Sequence, residues 1–312
     1  MSDRVTAFAP ASIGNVAVGF DMLGLALEGV GDRVIAEKTD GTGVAISCVR
    51  GLDGDIHPEL SSDPQENTAS IAAEALWNTH GTGGVMLEVY KGVPLQSGMG
   101  SSAASAVAAV VAVNALLDTP LPTKDLLPFA LEGERFASKG LHADNVAPSL
   151  FGGLVLCPPV LLPDVVPLQT PTSVQAVLLH PELQVDTAAA RRGLGASITM
   201  AQWIEQQGLL AGFIAACAND DADLIGRTLK DVIIEPQRAS NVACFASVTA
   251  AARSAGALGC SLSGSGPSLF ALVRNGDADN VVTAMADACR ADGIDCQTWT
   301  SPMNAQGAYV ED

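Results

Sequence analysis

The chain has 312 residues, enough for two domains of ordinary size. Its 34 acidic residues outnumber 16 basic ones, for a formal net charge of −18. A surface that negative repels phosphodiester backbones and anionic lipid headgroups, which argues against nucleic-acid and membrane partners. Apolar residues make up 48% of the chain and aromatic residues 4%, so the core must be built from Ala, Val and Leu.

Seven cysteines, an odd number without any C-x-x-C pair, read as buried thiols in a reducing compartment. The N-terminal Met1-Ser2-Asp3-Arg4 leads into a strand-like stretch rather than an apolar signal region. The longest apolar run, Ala103–Val113, contains Ser105 and is too short to span a bilayer. A soluble, cytoplasmic protein is expected.

Val5–Ala9 alternates as a strand, Pro10–Gly24 is rich in small residues, and Leu25–Leu27 and Arg33–Lys38 read as two further short strands. Gly51–Asp63 is a solvated acidic loop, Gln65–Thr79 has helical spacing, and Val85–Tyr90 alternates as a strand. After a turn-rich loop at Pro94–Gly100, Ser101–Leu117 is apolar on nearly every face, which predicts a buried helix. Thr123–Ser138 reads as one helix, with Thr123 as its cap and Pro128 as a cost. His142–Gly153 is irregular and Leu154–Cys157 a strand. The proline cluster Pro158–Pro171 marks the crossing between domains, placed at 1–165 and 166–312. Beyond it come strand Val174–Leu179, then helices at Thr187–Arg192, Met200–Asn219, Ala222–Leu229 and Asn241–Ala255. Strand Ser268–Arg274, helix Ala278–Ala291 and a last strand near Gln297–Ser301 complete an α/β or α+β pattern.

The sharpest chemical signal is Pro94-Leu95-Gln96-Ser97-Gly98-Met99-Gly100-Ser101-Ser102-Ala103-Ala104. Its glycines permit positive φ and close approach, and the first turn of the following helix leaves N–H groups free at the positive end of the helix dipole. That is a backbone anion site; a tight strand-to-helix connection capped by Ser101 or Ser102 would look the same. The order of residues fits neither G-x-x-x-x-G-K-[ST] nor G-x-G-x-x-G. Glu134 or Glu132 could offer a carboxylate to a divalent cation, and Arg191, Arg192 or Arg238 a fork to a carboxylate. The four histidines show no metal-ligand spacing.

This loop resembles the phosphate-binding motif of the GHMP kinases, and its flanking segments resemble the homoserine kinases within that family. The resemblance runs through Ala9–Ser12, Asn15, Val18-Gly19-Phe20-Asp21 and Asp144-Asn145-Val146-Ala147-Pro148. It continues through Thr187–Arg191, Asp231–Pro236 with Arg238, and Ser263–Ser268, in the family's order. Gln96 and Met99 depart from it, standing where glycine and leucine are commoner.

The resemblance implies an α+β fold of two domains, the first like domain 2 of ribosomal protein S5 and the second ferredoxin-like. It implies transfer of the γ-phosphoryl group of ATP to the hydroxyl of L-homoserine, with Mg²⁺, by a homodimer. Mevalonate- or sugar-type kinases and a non-catalytic binding protein are the alternatives. Residues 94–104 would hold the nucleotide phosphates, Asn67 the adenine, and Ser102 or else Ser101, with Glu134, the metal, Glu134 being selected over Glu132 by its spacing to Asn145. Asn15, Asp21, Asp144, Asn145, Arg191 and Arg238 would hold homoserine, and Asn145, Thr187 and Arg191 would stand at the reacting centre. Asn145 is an amide that takes no proton, so in-line transfer without a carboxylate base is expected, with Asp144 as the competing base.

Overall fold

The structure, a computed structural model, describes residues 3–51, 53–138, 142–195 and 197–311; Met1, Ser2 and Leu52, which belong to segments named above, lie outside them. Strand β1 (Arg4–Gly14) pairs antiparallel with β2 (Leu23–Thr39), and β3 (Gly43–Arg50) follows. The two short strands expected at Leu25–Leu27 and Arg33–Lys38 are one 17-residue strand. Its pairing with β1 slips between Pro10 and Ser12, where Glu28 and the positive-φ Gly29 bulge out to solvent. That polar bulge interrupts the alternation and mimics a turn. Helix α1 (Thr68–His80) leads to β4 (Gly84–Tyr90), which lies antiparallel to β2 and parallel to β3.

Helix α2 (Ser101–Ala115) is buried along almost its whole length, as its composition requires. The helix expected at Thr123–Ser138 divides into a 3₁₀ turn at Thr123–Leu126 and α3 (Leu127–Ser138). Pro128 thus falls in the first turn of α3, where its missing N–H costs nothing. A six-residue α4 (Val146–Phe151) forms within the segment expected to be irregular. Strands β5 (Leu154–Leu156) and β6 (Val166–Leu168) complete this half.

The second half contains β7 (Val174–Pro181), α5 (Thr187–Arg192), α6 (Met200–Ala218), α7 (Ala222–Thr228) and α8 (Glu235–Arg238). These are followed by α9 (Phe245–Ser254), β8 (Gly259–Leu262), β9 (Leu269–Arg274), α10 (Ala278–Ala291), β10 (Cys296–Pro302) and β11 (Tyr309–Glu311). The start of α9 falls at Phe245 rather than Asn241, because a 3₁₀ turn occupies Ala239–Asn241.

One sheet has the order β11-β1-β2-β4-β3 with β5 and β6 attached through β2; the other is β10-β7-β9-β8, antiparallel throughout. The second arrangement is ferredoxin-like. The first sheet reaches past the division at 165/166, since β6 pairs with β5, and β11 brings the chain back onto β1. Ala and Val of α1 and α2 pack on Val34, Val85 and Leu87 of the first sheet, and α9 and α10 close the second around Val177, Leu179 and Val273. Among the described residues no helix is long and apolar enough to cross a membrane.

A buried ion pair anchors the start of α2. Asp32 on β2 is fully buried and Lys91, just beyond β4, is 6% exposed. Lys91 Nζ pairs with Asp32 and donates to Ser101 O at 2.9 Å and Ser105 Oγ at 2.7 Å. Asp32 also accepts from the backbone N–H of Gly92 and Val93 at 2.8 and 3.0 Å. Removing one partner strands a buried charge, so Lys91→Met should lower unfolding stability by about 3–5 kcal/mol. Urea denaturation should show the Asp32→Asn/Lys91→Met double variant losing less than the sum of the singles; simple additivity would contradict a coupled pair.

Candidate active site

The loop between β4 and α2 takes the left-handed conformations its sequence suggests, with φ of 51° at Gln96, 76° at Gly98 and 70° at Gly100. Besides the expected positive φ, neighbouring protein atoms hold both positions to glycine. A Cβ on Gly98 would collide with the carbonyl oxygens of Ser263 and Gly266, and one on Gly100 with Ser12 and Asn145. Both glycines therefore make room for protein, and the loop's amides are left beside the first turn of α2. Met99 and Ala104 point into the core. Ser101 Oγ is committed to Val93 O at 2.9 Å, whereas Ser102 borders both cavities of the cleft.

One cavity, of about 310 Å³, is lined by Gln96–Gly98 and Gly100–Ala103 of this loop together with Asp186. The adjoining one, of about 180 Å³, is lined by Asn15, Asp21, Asp144, Arg191 and Arg238. Ser102, Glu134, Asn145, Thr187 and Ser265 border both, so the structure gathers these residues where the two compartments meet. Asn145 Oδ1 accepts from Ser12 Oγ at 3.0 Å, and the hydroxyls of Thr187 and Ser265 lie 3.1 Å apart.

The smaller compartment is electrostatically divided. Asp21 receives both terminal nitrogens of Arg191, at 2.6 and 2.8 Å. Arg238, only 3% exposed, donates Nη1 to Gly264 O at 3.1 Å while its buried Nε has no partner among the described residues. Burial, reinforced by the charge of Arg191, pulls its proton affinity down. Burial pushes Asp144 up to about 7, with the negative Asp21 adding to the shift. His142 also borders this compartment and is pulled down by burial.

Asn67 stands apart from both cavities. Its Oδ1 caps α1 at Ala69 N, 3.0 Å, and its Nδ2 donates to Ser61 O at 2.9 Å, so a cap accounts for both ends of the amide. Among the described residues no cluster of three or more His, Cys, Asp or Glu could hold a metal by itself. A single carboxylate and a hydroxyl, Glu134 and Ser102, fit the sparse protein ligation Mg²⁺ takes when phosphates supply the rest.

Several supporting residues escaped the sequence reading. Gln206 on α6 donates to Val18 O and accepts from Val232 N, both at 2.9 Å, which ties the Asn15–Asp21 segment to the turn before α8. Asp231 caps that turn through the N–H groups of Ile233, Ile234 and Glu235 and so sets Arg238. A buried Gln within an apolar helix was the available signal for Gln206; Asp32 and Lys91, 59 residues apart, left none.

The family model for the GHMP kinases N terminal domain matches residues 67–153, and that for GHMP kinases C terminal matches 213–291. The chain is 42% identical over 306 residues to homoserine kinase of Xanthomonas campestris pv. campestris, covering 97% of this chain and 93% of that protein. It is 40% identical over 320 residues to homoserine kinase of Chloroherpeton thalassium, covering 98% and 99%. A crystal structure of homoserine kinase from Cytophaga hutchinsonii is similar with a TM-score of 0.94 and 42% identity, over 100% of this chain and 98% of that one. With both family models matched and relatives 40–42% identical over nearly its whole length, the chain belongs to the GHMP kinases, within their homoserine kinase family.

Proposed function

We propose that this enzyme transfers the γ-phosphoryl group of ATP to the side-chain hydroxyl of L-homoserine, giving O-phospho-L-homoserine for threonine biosynthesis. The observation that carries this reading is Arg238: a buried guanidinium bordering the smaller cavity with one N–H unpartnered and, among the described residues, no carboxylate within ion-pair distance. Such a cation calls for an external anion. Asp144, buried beside it with its ionised form disfavoured, calls for an external cation, while Asp21 already holds Arg191. An amino acid supplies both; galactose has neither charge and mevalonate lacks the ammonium.

In this reading the α-carboxylate of homoserine lies against Arg238 and Arg191, its ammonium lies against Asp144 and Asp21, and its hydroxyl reaches the junction near Asn145 and Thr187. The triphosphate lies along residues 94–104, where loop amides and the α2 dipole favour anions. Glu134 and Ser102 would hold Mg²⁺, which when bound neutralises charge on the phosphates. Asn145 orients the acceptor without taking its proton, and a loose transition state needs little help from a base. Asn67 orders the segment before α1 rather than gripping adenine. We also take the enzyme to be a cytoplasmic homodimer, in keeping with its family resemblance.

A coupled ADP-release assay tests the substrate. Homoserine should exceed mevalonate and galactose in kcat/KM by orders of magnitude, and a preference for either of the others would contradict the assignment.

The raised pKa of Asp144 gives a pH signature. With the site empty, Asp144 holds its proton until pH passes about 7, and the substrate ammonium binds best to the ionised form. Homoserine kcat/KM should therefore rise through that region and level off above it, while kcat at saturation stays flat. Asp144→Asn should remove the rise and increase KM. A limb in kcat itself that vanishes in Asp144→Asn, with a loss of about 10²–10⁴-fold, would instead make Asp144 the base.

A further inference from the structure

Two guanidinium groups converge on one ring. The ζ-carbons of Arg191 and Arg238 lie 5.3 and 5.2 Å from the centroid of Phe20. Cations placed this way repel each other, and the charge of Arg191 indeed depresses the proton affinity of Arg238. Asp21 compensates Arg191 by gripping it with both oxygens. Among the described residues Arg238 has no ion pair: it donates to the carbonyl of Gly264 and lies over Phe20, with Asp21, Asp231 and Asp144 acting on it from beyond ion-pair distance.

The segment that carries the ring is built at a cost. Asn15, Val16, Ala17 and Asp21 all have positive φ, at 66°, 44°, 57° and 58°. Strain at non-glycine residues persists where the surroundings over-determine it. Here Val16 and Ala17 are buried, Gly19 N donates to Asn15 O at 2.9 Å, and Gln206 holds Val18 O. The result is a fixed aromatic ring within 5.3 Å of both guanidiniums.

We propose that Phe20 is a positioning residue for the acceptor: its ring offsets the mutual repulsion of Arg191 and Arg238 and holds the two guanidiniums where one carboxylate can bridge them. The proposal rests on the reading of this compartment as the homoserine site. An aromatic ring suits the task because its face carries negative charge density without being an anion. A carboxylate there would occupy the arginines itself and displace the substrate. A leucine would fill the volume but leave the repulsion unrelieved.

The test compares the parent enzyme, Phe20→Leu and Phe20→Tyr with L-homoserine and with 3-aminopropan-1-ol, which keeps the amine and the hydroxyl but lacks the carboxylate. The second compound is measured as substrate or as competitive inhibitor. Phe20→Leu should raise homoserine KM about tenfold while leaving the KM for ATP and the constants for 3-aminopropan-1-ol near parental values. Phe20→Tyr should restore homoserine KM. An unchanged homoserine KM in Phe20→Leu, or equal losses with both acceptors, would overturn the proposal. A parent enzyme that does not phosphorylate homoserine would overturn the substrate reading instead, and ATP binding by each variant reports that it is folded.

Discussion

The cleft depends on two loops, one from each half of the chain, meeting through backbone carbonyls. Ser263 Oγ donates to Gly98 O at 2.7 Å, Ser268 N to Ser97 O at 3.1 Å, and Gly264 N to Gly14 O at 3.1 Å. No side chain fits between them at Gly98. Because this junction uses loop carbonyls as acceptors, it does not consume the amides at the start of α2 that an anion needs. The carbonyl of Gly264 then accepts from both Asn15 Nδ2 and Arg238 Nη1, each at 3.1 Å. The same contact that shapes the larger cavity therefore forms a wall of the smaller one.

A chain of net charge −18 that binds two anionic groups must concentrate its few cations. Arg191 and Arg238 gather at the smaller cavity, while Lys91 is neutralised by Asp32 beneath the first turn of α2. Desolvation works against charge on both sides of that cavity, raising Asp144 to about 7 and depressing Arg238. A zwitterion relieves both penalties in one step, since its ammonium favours ionised Asp144 and its carboxylate favours charged Arg238. A neutral sugar would relieve neither. Specificity in this account comes from the cost of leaving the compartment unfilled.

The buried helix α2 and the glycine loop were legible in the sequence because each rests on a local pattern, apolar faces in one and turn residues in the other, whereas Arg191 and Arg238 stood out from the other basic residues only through the family resemblance. The continuous β2 was not, since a bulge at Glu28-Gly29 looks like a turn when only neighbours are visible. Strand β3 went unrecognised, its pattern GVAISCVR being short and mixed. The choice between Ser101 and Ser102 required knowing that Val93 O takes one hydroxyl. The partners that force glycine at position 98 lie at Ser263 and Gly266, far along the chain, so the residue type was visible while its cause was not.

The most direct test of the shared wall is titration calorimetry of Gly98→Ala with an ATP analogue and, separately, with L-homoserine. A methyl group at this position must push the loop around Ser263–Gly266 away, and with it Gly264 O, Asn15 and Arg238. Weakened binding of both ligands in a protein that still unfolds cooperatively is the expected result. Loss of nucleotide affinity with homoserine binding unchanged would show that the two compartments are built independently and would contradict the account.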